Sequence, residues 1–175
     1  VTQVGSSYAT AKRAFLDLLR SRPALGEVAI RYEAPLDPVA VVGPTGKHEC
    51  IFYTDDEADE GVQENVVICG LPLQVDETYR LPLVVQVVVP ETTDGVTSTQ
   101  EDADRRVDEI LGEVFGAMTN FPAMAPGVDE PFPYMHMTRA NFVRRTGVVG
   151  DAEGHGSSCL ARLEVEARIA LAGES

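Results

Sequence analysis

Positive charge is scarce in this chain. Fourteen lysines and arginines face 28 aspartates and glutamates over 175 residues, a formal charge of −14 at pH 7. That balance argues against non-specific binding to nucleic acid, membranes or other anionic surfaces. Long apolar runs are also missing. None exceeds four residues, so the sequence shows neither a membrane span nor a signal-peptide core. Cysteine is sparse as well: Cys50, Cys69 and Cys159 are odd in number and widely spaced in apolar, strand-like sequence. They read as buried reduced thiols, not a disulfide framework, in a chain assembled in a cytosol. What is present is ordinary for a globular protein, with 44% hydrophobic and 24% charged residues. The length fits one domain over residues 1–175, large enough to bury a core without disulfides or metals.

Motifs for chemistry fail when tested position by position. The stretch "VVGPTGKHE", residues 41–49, invites comparison with a phosphate-binding loop. Such a loop needs a glycine where Val41 stands and a hydroxyl where His48 stands, followed by a helix where this sequence is β-rich. It reads instead as a strand, a turn and a second strand. A calcium loop aligned on Gly61 puts Asp56 first, but Ala58 falls third and Val67 takes the twelfth place, where a bidentate Glu is required. His48 and Cys50, with Cys69 across a hairpin, supply three candidate zinc ligands and no fourth. No serine sits in a nucleophile elbow, and no cysteine has a matched His and Asn. Gly154-His155-Gly156 reads as a hairpin tip. The expectation is a protein with no catalytic residues, no metal and no cofactor.

The periodicities predict an α+β fold. A helix spans about 7–21, capped by Ser6 or Ser7, with Ala11, Ala14, Phe15, Leu18 and Leu19 on one face. A strand follows over 27–33, turning Val28, Ile30 and Tyr32 inward, and a second short strand is predicted over 39–42. An extended hairpin over 48–70 comes next, its arms 51–53 and 66–68 joined by an acidic tip. That tip holds Asp55, Asp56, Glu57, Asp59, Glu60 and Glu64 with no cation among them. Residues 78–89 form a central strand, apolar on both faces at 83–85 and 87–89 and therefore covered on both sides. Pro82 within it calls for a bulge or an unpaired edge. Ser98 to Glu101 makes a capping box for a second helix, whose stripe runs from Ala103 to Met118. A long Pro-rich loop, 119–134, leads to a strand at 135–149. The closing segment sets Cys159, Ala161, Leu163, Val165, Ala167, Ile169 and Leu171 on one face, and Arg162, Glu164, Glu166 and Arg168 on the other. The whole is one mixed, mainly antiparallel sheet with two amphipathic helices packed on it and a protruding acidic-tipped hairpin. The charged face at 162–168 is self-complementary in sign, which makes it the candidate subunit contact.

This order of elements, from "RAFLDLLRSRPALG" through "ETYRLPLVVQVVV" and "TSTQEDADRRVDEILGEVFGAM" to "CLARLEVEARIALA", resembles the tail terminator (tail completion) proteins of long-tailed phages with non-contractile tails. The likeness covers about residues 10–172. The tip at 55–64 and the stretch 120–133 are longer than that family leads one to expect. The resemblance implies a homo-hexameric ring in the virion, at the neck, assembled in the host cytoplasm. Such a ring stops growth of the tail tube, meets the tail tube protein and a head-completion or connector protein, and lets DNA pass through its lumen. Six chains of this charge carry roughly −84, a sign that would not grip a polyanion in transit. The acidic residues Asp55, Asp56, Glu57, Asp59 and Glu60 would then face a partner or the lumen. Another head–tail connector or tail tube component, and a small-molecule-binding α/β protein, are the alternatives.

Overall fold

A computed structural model describes residues 7–54, 64–68, 73–90, 99–121, 134–149 and 154–171. The elements run α1 (Tyr8–Arg20), β1 (Ala29–Arg31), β2 (His48–Tyr53), β3 (Glu64–Ile68), β4 (Leu73–Pro90), α2 (Thr99–Asn120), β5 (Tyr134–Val149) and β6 (Gly154–Leu171). Short 3₁₀ turns lie at Pro23–Leu25 and Pro38–Ala40. Six strands form one mixed sheet in the order β1-β2-β4-β6-β5, with β3 also on β4. Only the β1–β2 pairing is parallel. Both helices pack on one face of this sheet, as the α+β expectation requires.

The backbone of the fold is the β4–β6 pair, eighteen residues in unbroken register from Leu73↔Leu171 to Pro90↔Gly154. Alternation along it decides everything above. Glu77, Tyr79, Leu81, Leu83, Val85 and Val87 on β4 turn to the helices, as do Cys159, Ala161, Leu163, Val165 and Ala167 on β6. Onto them α1 lays Ala11, Ala14, Phe15, Leu18 and Leu19, and α2 lays Ala103, Val107, Ile110, Leu111 and Val114. These are the predicted stripes, and burying a Leu- or Phe-sized side chain is worth about 1.5–3 kcal/mol.

Several expectations are corrected. The arms 51–53 and 66–68 do not form a hairpin with each other: β2 and β3 both pair with β4, one beyond the other along the same flank. β4 begins only five positions after Ile68, so β3 pairs with its nearer chain neighbour, and β2 takes the far length of the same strand. The change of partner happens at Pro82. Thr54 N–H donates to the Pro82 carbonyl at 3.0 Å, and the reciprocal bond is impossible because Pro82 has no N–H. The missing donor thus falls in the gap between Tyr53↔Leu83 and Glu64↔Thr78, the unpaired edge that the sequence calls for. Apart from Glu64, which opens β3, the acidic tip lies outside the described residues, as does most of the Pro-rich loop.

The strand predicted over 39–42 is instead the turn Pro38–Ala40 followed by irregular chain, since proline at its start fixes φ and donates nothing to a ladder. The turn after it is present: Gly43 N–H donates to Lys47 O, and Gly46 takes φ +86°. Gly154, His155 and Gly156 are not a tip but the first residues of β6, paired with Pro90, Val89 and Val88. A Cβ on Gly154 would meet the Val89 carbonyl oxygen at 2.6 Å, so close strand approach explains the glycine. Ser7 stands at the head of α1 but makes no side-chain cap. Its N–H and Oγ both donate to Glu77 Oε2, at 2.7 and 2.5 Å, and its Oγ lies 2.8 Å from the Tyr79 hydroxyl. A carboxylate only 2% exposed must be satisfied, and it takes the capping group for itself.

Candidate interaction surface

The sheet has a second face, and its cover is incomplete. Over β2 the segment 32–42 closes it: Cys50 and Phe52 are buried there, with Cys50 Sγ 4.0 Å from the Pro38 carbonyl. Burial pushes the Cys50 thiol up to about 12. His48 shares that face two residues earlier, as the strand spacing implies. Beyond β2, no described element packs over β4, β6 and β5 on this side.

Cross-strand register arranges that open face in rows. At one end stands Asp76 opposite Arg168, which donates Nε to Oδ1 at 2.6 Å and Nη2 to Oδ2 at 2.8 Å. These bonds hold the Asp76 carboxyl below the usual carboxylate range and raise Arg168. The next row is Thr78, Glu166 and His136, with His136 Nε2 3.9 Å from Glu166. Then Glu164 lies between Arg80, at 3.7 Å, and Arg139, at 3.3 Å. Arg139 reaches that row because Thr138 is the extra residue of a bulge, and its hydroxyl also donates to Glu164. Pro82, Arg162 and Asn141 follow. The face then turns apolar, with Phe52, Val84, Leu160 and Val143 in one row across four strands. Gln86, Ser158 and Arg145 lie past it.

The structure therefore brings Arg162, Glu164, Glu166 and Arg168 together on one side of β6, half-buried, as the sequence pattern places them. Glu164, Glu166 and Arg168 have charged neighbours on flanking strands of the same chain, which a reading of β6 alone could not reveal. Asp76, Arg80, Arg139 and Val143 complete the surface. Their signal is parity once the β4–β6 and β6–β5 registers are known, because cross-strand pairs share a face. The residues Asp55, Asp56, Glu57, Asp59 and Glu60 lie outside the described residues.

No known family model matches the chain, and no curated protein does. Among solved structures it is similar to a chain of the virion of a native gene transfer agent particle, at 11% identity over 93% of this chain and 99% of that one, with a TM-score of 0.48.

One expectation about this face is corrected. The apolar run of β4 predicted cover on both sides, yet Val84 and Val88 are only half-buried, and Val143 beside them is 42% exposed. The segment 32–42 reaches across β2 and no farther among the described residues.

The other charged contacts lie on the helix side and serve the fold. Arg106 of α2 holds the buried Glu49 of β2, and Glu49 raises the guanidinium further. Arg22 meets Glu113 at 2.5 Å, and Arg144 of β5 meets Asp108 of α2. Lys12 sits over three tyrosine rings, 5.4 Å from Tyr8, 4.5 Å from Tyr32 and 4.6 Å from Tyr53. It fixes α1 to β2, with the Tyr53 hydroxyl donating to the Lys12 carbonyl.

Proposed function

We propose that this chain is a non-enzymatic structural protein that works by assembling with copies of itself, as a ring that ends the tail tube of a phage-like particle. The observation that carries the assembly reading is the half-covered sheet. Among its charged rows the open face carries one apolar row, Val84, Leu160 and Val143, which the chain's own described elements leave partly exposed. A partner surface would finish the job.

The tail-terminator part of the proposal rests on the order of elements. The first helix, the strand after it, the long central strand, the second helix and the long closing strand occur in the expected sequence, while the short strand expected at "VAVVG" is absent. In this role the ring is a homo-hexamer, its partners are the tail tube protein and a head-completion or connector protein, and DNA only transits the lumen. The acidic segment around Asp55, Asp56, Glu57, Asp59 and Glu60 would serve docking or the channel wall. Neutralising these five together should leave folding intact and weaken docking or slow DNA passage.

Imaging of the purified protein, alone and mixed with tube subunits, tests the reading. Closed six-fold rings that cap tubes are expected. Long stacked filaments would point instead to a tube component. Particles that remain monomeric at high concentration and cap nothing would refute the ring.

A further inference from the structure

We infer that the open sheet face of one copy receives the outer side of α2 of the next, so that these two surfaces are the halves of one repeating joint. The inference rests on the ring-forming reading above and names the contact that would build it.

Charge is the first argument. On the open parts of β4, β5 and β6 stand Arg80, Arg139, Arg145, Arg162 and Arg168 against Asp76, Glu164 and Glu166. With Glu64 of β3, which stands opposite Thr78 of this face, five arginines meet four carboxylates and leave one positive charge in excess, within a chain of −14. α2 has the opposite surplus: between Thr99 and Asn120 it carries six carboxylates and two arginines, and with Arg22 and Arg144 paired to Glu113 and Asp108 it keeps two negative charges in excess. One copy's open face and another's helix therefore attract, while two open faces or two helices repel.

Shape and polarity agree. Val143 lies on the open face at 42% exposure, in line with Leu160 and Val84, and Phe115, at the β5 flank of α2 with its ring 4.9 Å from that of Phe142, is still 44% exposed. Large apolar side chains left this open are few in the described chain, and each proposed half of the joint holds one. Near Phe115 the helix is low, because Gly112 has open space where a Cβ would be. A helix of 22 residues is about 33 Å long and lies comfortably along strands of sixteen to eighteen residues, giving the sheet the second layer that layered folds build.

The competing contact is the edge of β5. It is long, but it carries a bulge at Thr138 and exposed Arg139, Arg144 and Arg145, the devices by which edge strands refuse pairing. Face-to-helix contact is heterologous: each copy uses both surfaces, and rotation between copies decides whether a ring closes.

Paired cysteines test the joint. Gly112→Cys and Val143→Cys are placed in one chain, singly and together, and treated with a short bis-maleimide, with the wild-type chain setting the background from the native cysteines. The double variant should give a ladder of covalent multimers ending at the ring size, and neither single variant should do so. A dimer from Val143→Cys alone would mean that open faces meet each other and would overturn the inference. Rings seen by imaging with no ladder in the double variant would overturn it too, leaving the ring reading intact. Absence of any ring in the wild type, alone or with tube subunits, would instead remove the ring reading on which the joint depends. As a second check, Arg139→Glu with Arg145→Glu should abolish assembly at least tenfold in concentration dependence. Adding Glu101→Arg and Glu109→Arg in the same chain should restore it. Failure of that restoration, with all variants folded by circular dichroism, counts against the charge argument.

Discussion

Arg106 on α2 and Glu49 on β2 meet fork to fork, Nε on Oε1 and Nη2 on Oε2, both at 2.9 Å, with Glu49 only 5% exposed. The pair ties the second helix to a strand 57 positions earlier, and Glu109 shares the guanidinium at 3.0 Å. Removing the cation strands a buried carboxylate. Arg106→Met should therefore lose about 2–4 kcal/mol in denaturant unfolding, at the low end because the arginine is partly solvated. The double variant Glu49→Met with Arg106→Met should recover most of that loss. A single variant within about 0.5 kcal/mol of wild type would show that the pair does not hold the helix.

Ser7 offers a second test. Ser7→Ala keeps the backbone N–H on Glu77 but deletes the hydroxyl, leaving the buried carboxylate one donor short. A cost of about 1–3 kcal/mol is expected. Faster hydrogen exchange should appear at Ala11, whose N–H closes the first turn on the Ser7 carbonyl at 2.8 Å. Unchanged exchange there would mean that Glu77 does not anchor α1.

Two glycines should respond in opposite directions. Gly112→Ala fills open space on an exposed helix and should raise stability by about 0.5–1 kcal/mol. Gly43→Ala should lower it, since a Cβ there falls on the Glu27 carbonyl oxygen. Thermal melts of the two variants decide both.

Alkaline pH should destabilise the fold. Burial pushes the Cys50 thiol up from an ordinary 9.0 to about 12, and raises Cys159, Tyr53 and Tyr79 as well. The folded chain then keeps protons that the unfolded chain releases, so stability falls as pH rises through 9 towards 12. Each such group steepens the decline by about 1.4 kcal/mol per pH unit within its window. Cys50→Ala should flatten the slope just above pH 9, where the thiols titrate before the tyrosines. An unchanged slope would place that thiol in water.

How much of this was legible beforehand depended on whether a pattern was local. The stripe Ala103, Val107, Ile110, Leu111 and Val114 and the β6 residues Cys159, Ala161, Leu163, Val165 and Ala167 declare their faces within one element, and they are buried as read. The partner of β2 is not local, and β3 has a nearer neighbour in β4 than in β2. Their short apolar arms fit a hairpin as well as a shared long strand, and only Pro82 marked where the change of partner falls. Glu77 is harder still. It occupies a core position by alternation with Tyr79, Leu81 and Leu83, yet its burial depends on a serine seventy positions away. On the open face, the β6 charges were visible, but their companions Asp76, Arg80 and Arg139 come from registers that no single segment encodes.

The ring cluster around Lys12 makes the molecule its own gauge. The chain has no tryptophan and five tyrosines, and Tyr8, Tyr32, Tyr53 and Tyr79 gather on the helix side of the sheet. Tyr8 stands edge-on to Tyr79 with centroids 5.3 Å apart, and Tyr32 to Tyr53 at 6.0 Å. Coupled rings held this close and this rigidly dominate near-ultraviolet dichroism and emission, without a stronger indole to mask them. That light reports whether α1 is seated on β2, and it does so from the side away from the open face. A loss of the tyrosine signal therefore marks damage to the protomer, whereas dissociation of copies should leave it nearly unchanged.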